Sequence, residues 1–187
     1  MMSEIFGSQL PDIVDGTFAA TYVLMTSVFN MLGRFFWAIA SDYLGRRKTY
    51  TVFFVLGILL YLSIPFSAHQ VSASPVVVWL VSFYAATMII FTMYGGGFAT
   101  IPAYLADIFG TQFVGAIHGR LLTAWATAGI AGPVVVNYIR EAQIAAGGAP
   151  GPALYTSTMY ILAGMLAIGL VANAFVRPLS DKWFMPD

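Results

Sequence analysis

Five long runs of almost uninterrupted apolar residues constrain this chain more than any other feature. Each run is close to the roughly 20 residues that a helix needs to cross a hydrocarbon layer about 30 Å thick. Helices are the expected elements because they satisfy their own backbone polar groups in lipid. Charged residues make up only 9% of the 187 residues, whereas soluble domains carry about 25%. We therefore predict an all-α integral membrane protein.

The predicted spans cover residues 17–40, 50–68, 75–101, 121–139 and 155–176 of a single membrane domain, residues 1–187. The rest of the composition excludes several classes of function. Eight basic side chains balance eight acidic ones, so there is no basic surface for nucleic acid. The chain has no cysteine, and its two histidines, His69 and His118, lack the spacing of metal ligands. We expect no metal, no cofactor and no nucleic-acid partner, and a lipid bilayer as the surroundings.

Lysine and arginine are distributed unequally between the two sides of the predicted membrane. The connections after the first and third spans, with the tail, hold six of them: Arg46, Arg47, Lys48, Arg120, Arg177 and Lys182. The other side holds Arg140 alone. Because basic residues stay in the cytoplasm, we predict an outside N-terminus and a cytoplasmic C-terminus. An odd number of spans without a signal peptide is what remains when a larger, even-numbered protein lacks its first helices.

One face of the first span is polar, which is unusual for a helix in lipid. Ser27, Asn30, Arg34, Trp37 and Ser41 recur on it at steps of three and four residues. Arg34 lies about 10 Å inward from Ser41, and its guanidinium does not lose its proton. It either lines a water-filled cavity or reaches the cytoplasmic headgroups. No aspartate or glutamate lies in any predicted span, which favours an external anion as the partner of Arg34.

The third and fourth spans contain residues that weaken helices. These are Gly95, Gly96, Gly97 and Pro102 in the third span, and Gly129, Gly132 and Pro133 in the fourth. Interrupted helices border the substrate sites of many transporters, so we expect flexibility at these positions. Close helix packing through small residues is the alternative. Trp125 lies one turn before Gly129, and we interpret it either as a cavity wall or as an interfacial anchor.

A charged connection with a recognisable pattern follows the first span. In the segment 42–48, DYLGRRK, Gly45 permits a tight reversal and Asp42 can pair with a nearby arginine or a helix N-terminus. The pattern D-x-x-G recurs at residues 107–110, in the predicted connection 107–120, as an internal repeat predicts. The simpler alternative is a charged loop that only sets topology.

Two segments resemble the oxalate/formate antiporter family of the major facilitator superfamily. They are residues 29–47, FNMLGRFFWAIASDYLGRR, and residues 95–136, GGGFATIPAYLADIFGTQFVGAIHGRLLTAWATAGIAGPVVV. The resemblance implies that the chain corresponds to helices eight to twelve, that helices one to seven are absent, and that Arg34 matches an arginine of a cationic carboxylate pocket. It also implies a second cation, a lysine, where this chain has Trp125. One cation suits a monocarboxylate such as formate, pyruvate or lactate better than the oxalate dianion.

These observations predict a secondary transporter of small organic anions that works by alternating access, here as a C-terminal fragment. Arg34 holds the carboxylate, Asn30 orients it, and Trp125 walls the pocket. Exchange is favoured over proton symport because the spans contain no acidic residue. One alternative is a non-transporting or split-half subunit that assembles with a separate N-terminal half. An enzyme built on Asp107 and His118 lacks a nucleophile motif, so we expect no catalysis. The expected location is the bacterial inner (plasma) membrane.

Overall fold

The computed structural model describes residues 6–7, 10–69, 76–148 and 153–177. Within these residues five helices build the fold: α1 (Gly16–Leu44), α2 (Arg46–His69), α3 (Val76–Phe109), α4 (Val114–Ala145) and α5 (Ala153–Phe175). Each helix is long and apolar enough to cross a membrane. The predicted all-α integral membrane class is confirmed. The connection 70–75 and the end of the tail, with Lys182, lie outside the described residues.

The first predicted cytoplasmic connection is much shorter than expected. α1 continues to Leu44 and α2 begins at Arg46, so that Gly45 alone reverses the chain. Gly45 has φ +86°, a conformation in which a side chain would be strained. The Gly45 amide donates to the Ser41 carbonyl over 3.0 Å, and the Gly45 carbonyl accepts from the Thr49 amide over 3.0 Å. Helical hydrogen bonding therefore continues almost to the reversal point, and the prediction of a loop at 42–48 is wrong.

The second predicted cytoplasmic connection is also mostly helical. α3 continues to Phe109 and α4 begins at Val114. Between them Gly110 has φ +76°, which again allows a short turn. The sequence could not reveal this, because low hydropathy marks a charged helix end and a loop alike. The prediction of a loop at 107–120 is wrong, and His118 lies on a helix.

Glycines bring α1 and α3 into close contact. A Cβ atom at Gly33 would collide with the backbone of Thr92, and one at Gly95 with the backbone carbonyl of Asn30. One at Gly96 would collide with the Trp37 side chain. Small residues of this kind let two membrane helices approach closely. The structure therefore shows the packing role that the sequence left as an alternative for Gly95 and Gly96.

The helices run without a break through the residues expected to interrupt them. α3 is helical through Gly97 and Pro102, and α4 is helical through Gly132 and Pro133. Neighbouring helices can satisfy the backbone groups that a proline releases inside a membrane helix. The expected interruption is therefore not seen in these described segments. Flexibility at the glycines stays a prediction.

The helices are not equally enclosed by one another. α3 packs against α1, α2 and α4, while α2 also packs along α5. A buried cluster at one end of the bundle joins the start of the chain to three helices; it contains Phe6, Val14, Ile64, Leu80, Phe83, Ala86, Leu154, Tyr155 and Met159. By contrast, α4 touches α3 and α5 but buries none of its residues. α4 is therefore the helix with the most surface open to lipid or to further helices.

Candidate functional site

Arg34 lies at the edge of the contact between α1 and α3. Its neighbour Gly33 and the preceding turn, at Asn30, both meet the α3 backbone, while the Arg34 side chain is exposed. The guanidinium Nε donates a hydrogen bond to Asn30 Oδ1 over 3.3 Å. Among the described residues, no carboxylate forms an ion pair with Arg34. Its charge is therefore uncompensated within the described part of the chain.

The direction of the Arg34 side chain bears on the two interpretations of its role. Arg34 precedes Leu44, where α1 ends, by ten residues, which corresponds to about 15 Å along the helix. Its hydrogen bond to Asn30 draws the guanidinium a turn further from the Gly45 reversal. Helical side chains generally lean in this direction, toward the helix N-terminus. The side chain thus does not extend toward the end of α1 that we predict to be cytoplasmic.

Trp125 lies on α4 and faces α3. Its indole Nε1 donates to the Tyr94 hydroxyl over 3.2 Å, and its ring meets the Phe98 ring edge-on, with the centroids 5.4 Å apart. These contacts form one wall of a cavity of about 270 Å³ between α3 and α4. The cavity is also lined by Tyr50 from α2 and His118 from α4.

The structure brings Arg34 and Asn30 together, but it does not bring Trp125 to them. Within the described residues, no hydrogen bond, ion pair or ring contact joins Trp125 to Arg34. They are connected only through α3, where Gly95 meets Asn30 and the preceding Tyr94 accepts from Trp125. The candidate residues therefore lie on two sides of one α3 segment rather than around a single closed pocket.

Sequence reasoning does not connect three polar residues of the α3–α4 cavity with Trp125: Tyr50, Tyr94 and His118. It leaves His118 in a loop because the predicted fourth span begins at residue 121. With the helix start at Val114, His118 and Trp125 are seven residues apart and share a face. That spacing is visible in the sequence and would have placed His118 beside Trp125.

The D-x-x-G pattern at the Gly45 turn belongs to a network of charged side chains rather than to a free loop. Arg46 donates to Asp42 and to the buried Ser41 hydroxyl, and its Nε lies 3.6 Å from Asp107 Oδ2. Arg47 donates to the Ala174 carbonyl over 2.6 Å. The two D-x-x-G patterns thus meet, because the acid of each pairs with Arg46. This network joins the ends of α1, α2 and α3, and the hydrogen bond from Arg47 to Ala174 attaches the end of α5 to it.

These features define the class of protein: an all-helical integral membrane protein with an arginine on a membrane helix that no acidic side chain among the described residues compensates. A comparison with profiles of known protein families finds no match, and neither does one with solved structures. Among curated proteins, the chain is similar to the oxalate:formate antiporter of Oxalobacter formigenes, with 34% identity over 110 residues. The matched region covers 59% of this chain but only 24% of the antiporter, so the chain matches about a quarter of that protein's length.

Proposed function

We propose that this chain forms part of a secondary transporter that moves small organic anions across the membrane by alternating access. Arg34 carries the proposal: it is a permanent cation on a membrane helix, without an acidic partner among the described residues. Such a charge is costly in lipid and generally marks a substrate or ion pathway. A carboxylate accepts paired hydrogen bonds from a guanidinium, and Asn30 already holds that guanidinium away from the Gly45 turn.

Within this proposal, the chain corresponds to helices eight to twelve of a major facilitator superfamily transporter. The similarity to a quarter of an antiporter supports this, and so does α4, an apolar membrane helix that buries none of its residues. Helices one to seven, on the same or a separate chain, complete the bundle and cover that open surface. In the split form, this chain is a subunit that does not transport by itself.

The substrate proposed for this site is a small monocarboxylate, of the size of formate, pyruvate or lactate. One guanidinium compensates one carboxylate, whereas a dianion such as oxalate leaves a second charge to be compensated elsewhere. The aromatic walls around Trp125 suit the uncharged part of an organic acid. Exchange of one anion for another is the proposed mode, because no acidic residue lies in the predicted spans to carry a proton.

Uptake into proteoliposomes by the complete transporter tests this function. Replacing Arg34→Gln removes the charge and keeps a polar side chain, and we expect the KM for pyruvate to rise about 10- to 100-fold, since hydrogen bonds to charged groups contribute about 1.5–3 kcal/mol. Arg34→Lys keeps the charge but loses the paired hydrogen bonds. We therefore expect its KM to lie between those of the native protein and Arg34→Gln.

The matched control is Arg120→Gln, which removes an exposed arginine of α4 that makes no ion pair among the described residues. Its KM is expected to stay within about twofold of the native value, since exposed charges contribute little. Undiminished, saturable uptake in Arg34→Gln would remove Arg34 from the substrate pathway. A competition series of mono- and dicarboxylates against the native transporter would then rank the substrates.

A further inference from the structure

A histidine that the proposed function does not use faces the cavity between α3 and α4. His118 lies one turn inside α4 and lines the cavity with Trp125. Its Nδ1 atom is inaccessible to solvent and has no hydrogen-bond partner among the described residues. A buried polar nitrogen without a partner is unfavourable, and a turn of the imidazole ring toward the cavity would bring this nitrogen to a ligand there. The cavity offers room for one, at about 270 Å³.

The cavity wall contains a second polar group that can bind a ligand. The Tyr94 hydroxyl accepts the Trp125 indole N–H over 3.2 Å, and its own hydrogen has no acceptor among the described residues. The other tyrosine, Tyr50, already donates to the Gly97 carbonyl over 2.8 Å. The rest of the wall is apolar or aromatic, with Met93, Phe98, Ile101, Leu121 and Leu122. The cavity thus combines a small number of polar groups with an apolar lining, as small-molecule sites do.

The charges around His118 favour an anion beside it. The titratable side chains that line the cavity are Tyr50, Tyr94 and His118, and α5 contributes none. On α3, Asp107 is engaged by Arg46, and on α4 itself Arg120 is exposed. Helical side chains lean toward the helix N-terminus, and the N-terminus of α4 has no side-chain cap. The positive end of the helix dipole favours an anion near the start of α4.

We propose that this cavity is a proton-dependent subsite for a small monocarboxylate, with His118 as the group that takes up the proton. The carboxylate accepts hydrogen bonds from the imidazolium and from the Tyr94 hydroxyl, and its organic part lies against Trp125. A proton from solution binds the imidazole as the ring turns toward the entering anion, and it returns to solution when the anion leaves. The inference rests on the proposed function for its substrate class only. His118 would supply a group that can bind a proton, whereas the predicted spans contain no aspartate or glutamate.

Histidine NMR on the native 187-residue chain in lipid nanodiscs tests this subsite. All residues that line the cavity belong to this chain, and the chain has only two histidines, so His69→Gln leaves His118 as a single signal. The titration of His118 is followed from acid to alkaline pH with sodium pyruvate, with the uncharged methyl pyruvate, and with sodium chloride at equal ionic strength. Because the coupling is reciprocal, an anion that prefers the imidazolium raises the titration midpoint of His118.

We expect pyruvate to raise the midpoint by about one pH unit, which corresponds to about a tenfold preference for the protonated form. Methyl pyruvate and chloride should leave it unchanged. No shift with pyruvate, or an equal shift with chloride, overturns the subsite. If uptake depends on Arg34 but pyruvate does not shift the titration midpoint of His118, only the subsite is overturned. If pyruvate shifts the midpoint but Arg34→Gln leaves uptake unaffected, only the role of Arg34 is overturned.

A filled cavity provides an independent check. Gly97 lines the cavity, and a Cβ atom there would meet nothing within 4 Å, so Gly97→Leu places a side chain in the open space. The pyruvate shift should disappear in this variant. Gly129→Leu is the matched control, because Gly129 is equally open but does not line the cavity; it should keep the shift. A shift that survives in Gly97→Leu contradicts the location of the subsite.

Discussion

Asn173 is a polar side chain buried near the end of α5, and its amide group is fully used. Its Oδ1 accepts from the Tyr104 hydroxyl over 3.1 Å. Its Nδ2 donates to the Arg47 carbonyl over 3.2 Å and to Thr51 Oγ1 over 3.1 Å. One residue therefore links α2, α3 and α5 through one buried and two partly buried hydrogen bonds, and Asn173 itself is only 7% exposed.

Replacing Asn173→Leu keeps the branched shape of the side chain but removes all three hydrogen bonds. We expect the free energy of unfolding to fall by about 1–2 kcal/mol, because the Tyr104 hydroxyl loses its acceptor in a buried place. Reversible unfolding in mixed micelles measures the change. Asn137→Leu on the exposed surface of α4 is the control and should be close to neutral. Equal stability of the two variants would show that the hydrogen bonds of Asn173 do not stabilise the fold.

At the scale of the helix, the contact between α1 and α3 depends on which glycine faces the partner. Gly33 and Gly95 meet backbone atoms of the opposite helix, whereas Gly97 meets nothing within 4 Å. Trp37 crosses the same contact and donates to Thr92 Oγ1 over 3.2 Å. The consecutive glycines 95–97 thus differ in role, although they are identical in chemistry.

Adding one methyl group distinguishes these roles. Gly95→Ala forces a Cβ atom against the Asn30 carbonyl, and we expect α1 and α3 to separate at a cost of about 1–3 kcal/mol in unfolding free energy. Gly97→Ala should change stability by only a few tenths of a kcal/mol, because alanine is also the better helix former. Unfolding in mixed micelles compares the two. A neutral Gly95→Ala would mean that the close approach of α1 and α3 is not required.

At the scale of the whole molecule, the five described helices leave one side open. α4 buries none of its residues, and Arg34 lies exposed at the edge of α1. A cationic side chain in that position would need water or a polar partner within the membrane. In the bundle that we propose, helices one to seven cover α4 and enclose a solvated space beside Arg34.

The chain by itself is therefore expected not to transport. Reconstituted alone in liposomes, it should give no saturable uptake of formate or pyruvate above empty liposomes, because alternating access needs two parts that move against each other. Uptake should appear when the chain is joined to, or expressed with, the helices that complete it. Saturable anion flux from the chain alone would contradict both the proposed placement at helices eight to twelve and the split-half alternative.

The sequence alone determined the class of the protein and much of its local chemistry. Five apolar runs with very little charge predicted five membrane helices, since the cost of exposing polar backbone to lipid leaves few other structures. Gly45 permits a tight reversal, and a nearby arginine is one of the two partners that the sequence offers Asp42; the structure shows the reversal and the pair of Asp42 with Arg46. These features depend on residues that are close in sequence, where composition and spacing are sufficient.

Only the tertiary structure decided which faces of the helices meet. Hydropathy is equally high for a side chain that faces lipid and for one that faces another helix, so it could not separate Gly95 from Gly97 or reveal the link from Asn173 to Tyr104. It also placed the start of α4 too late, which hid His118 from the cavity it lines. These relations join residues far apart in the chain, and they arise from the packing of helices that the membrane itself does not orient.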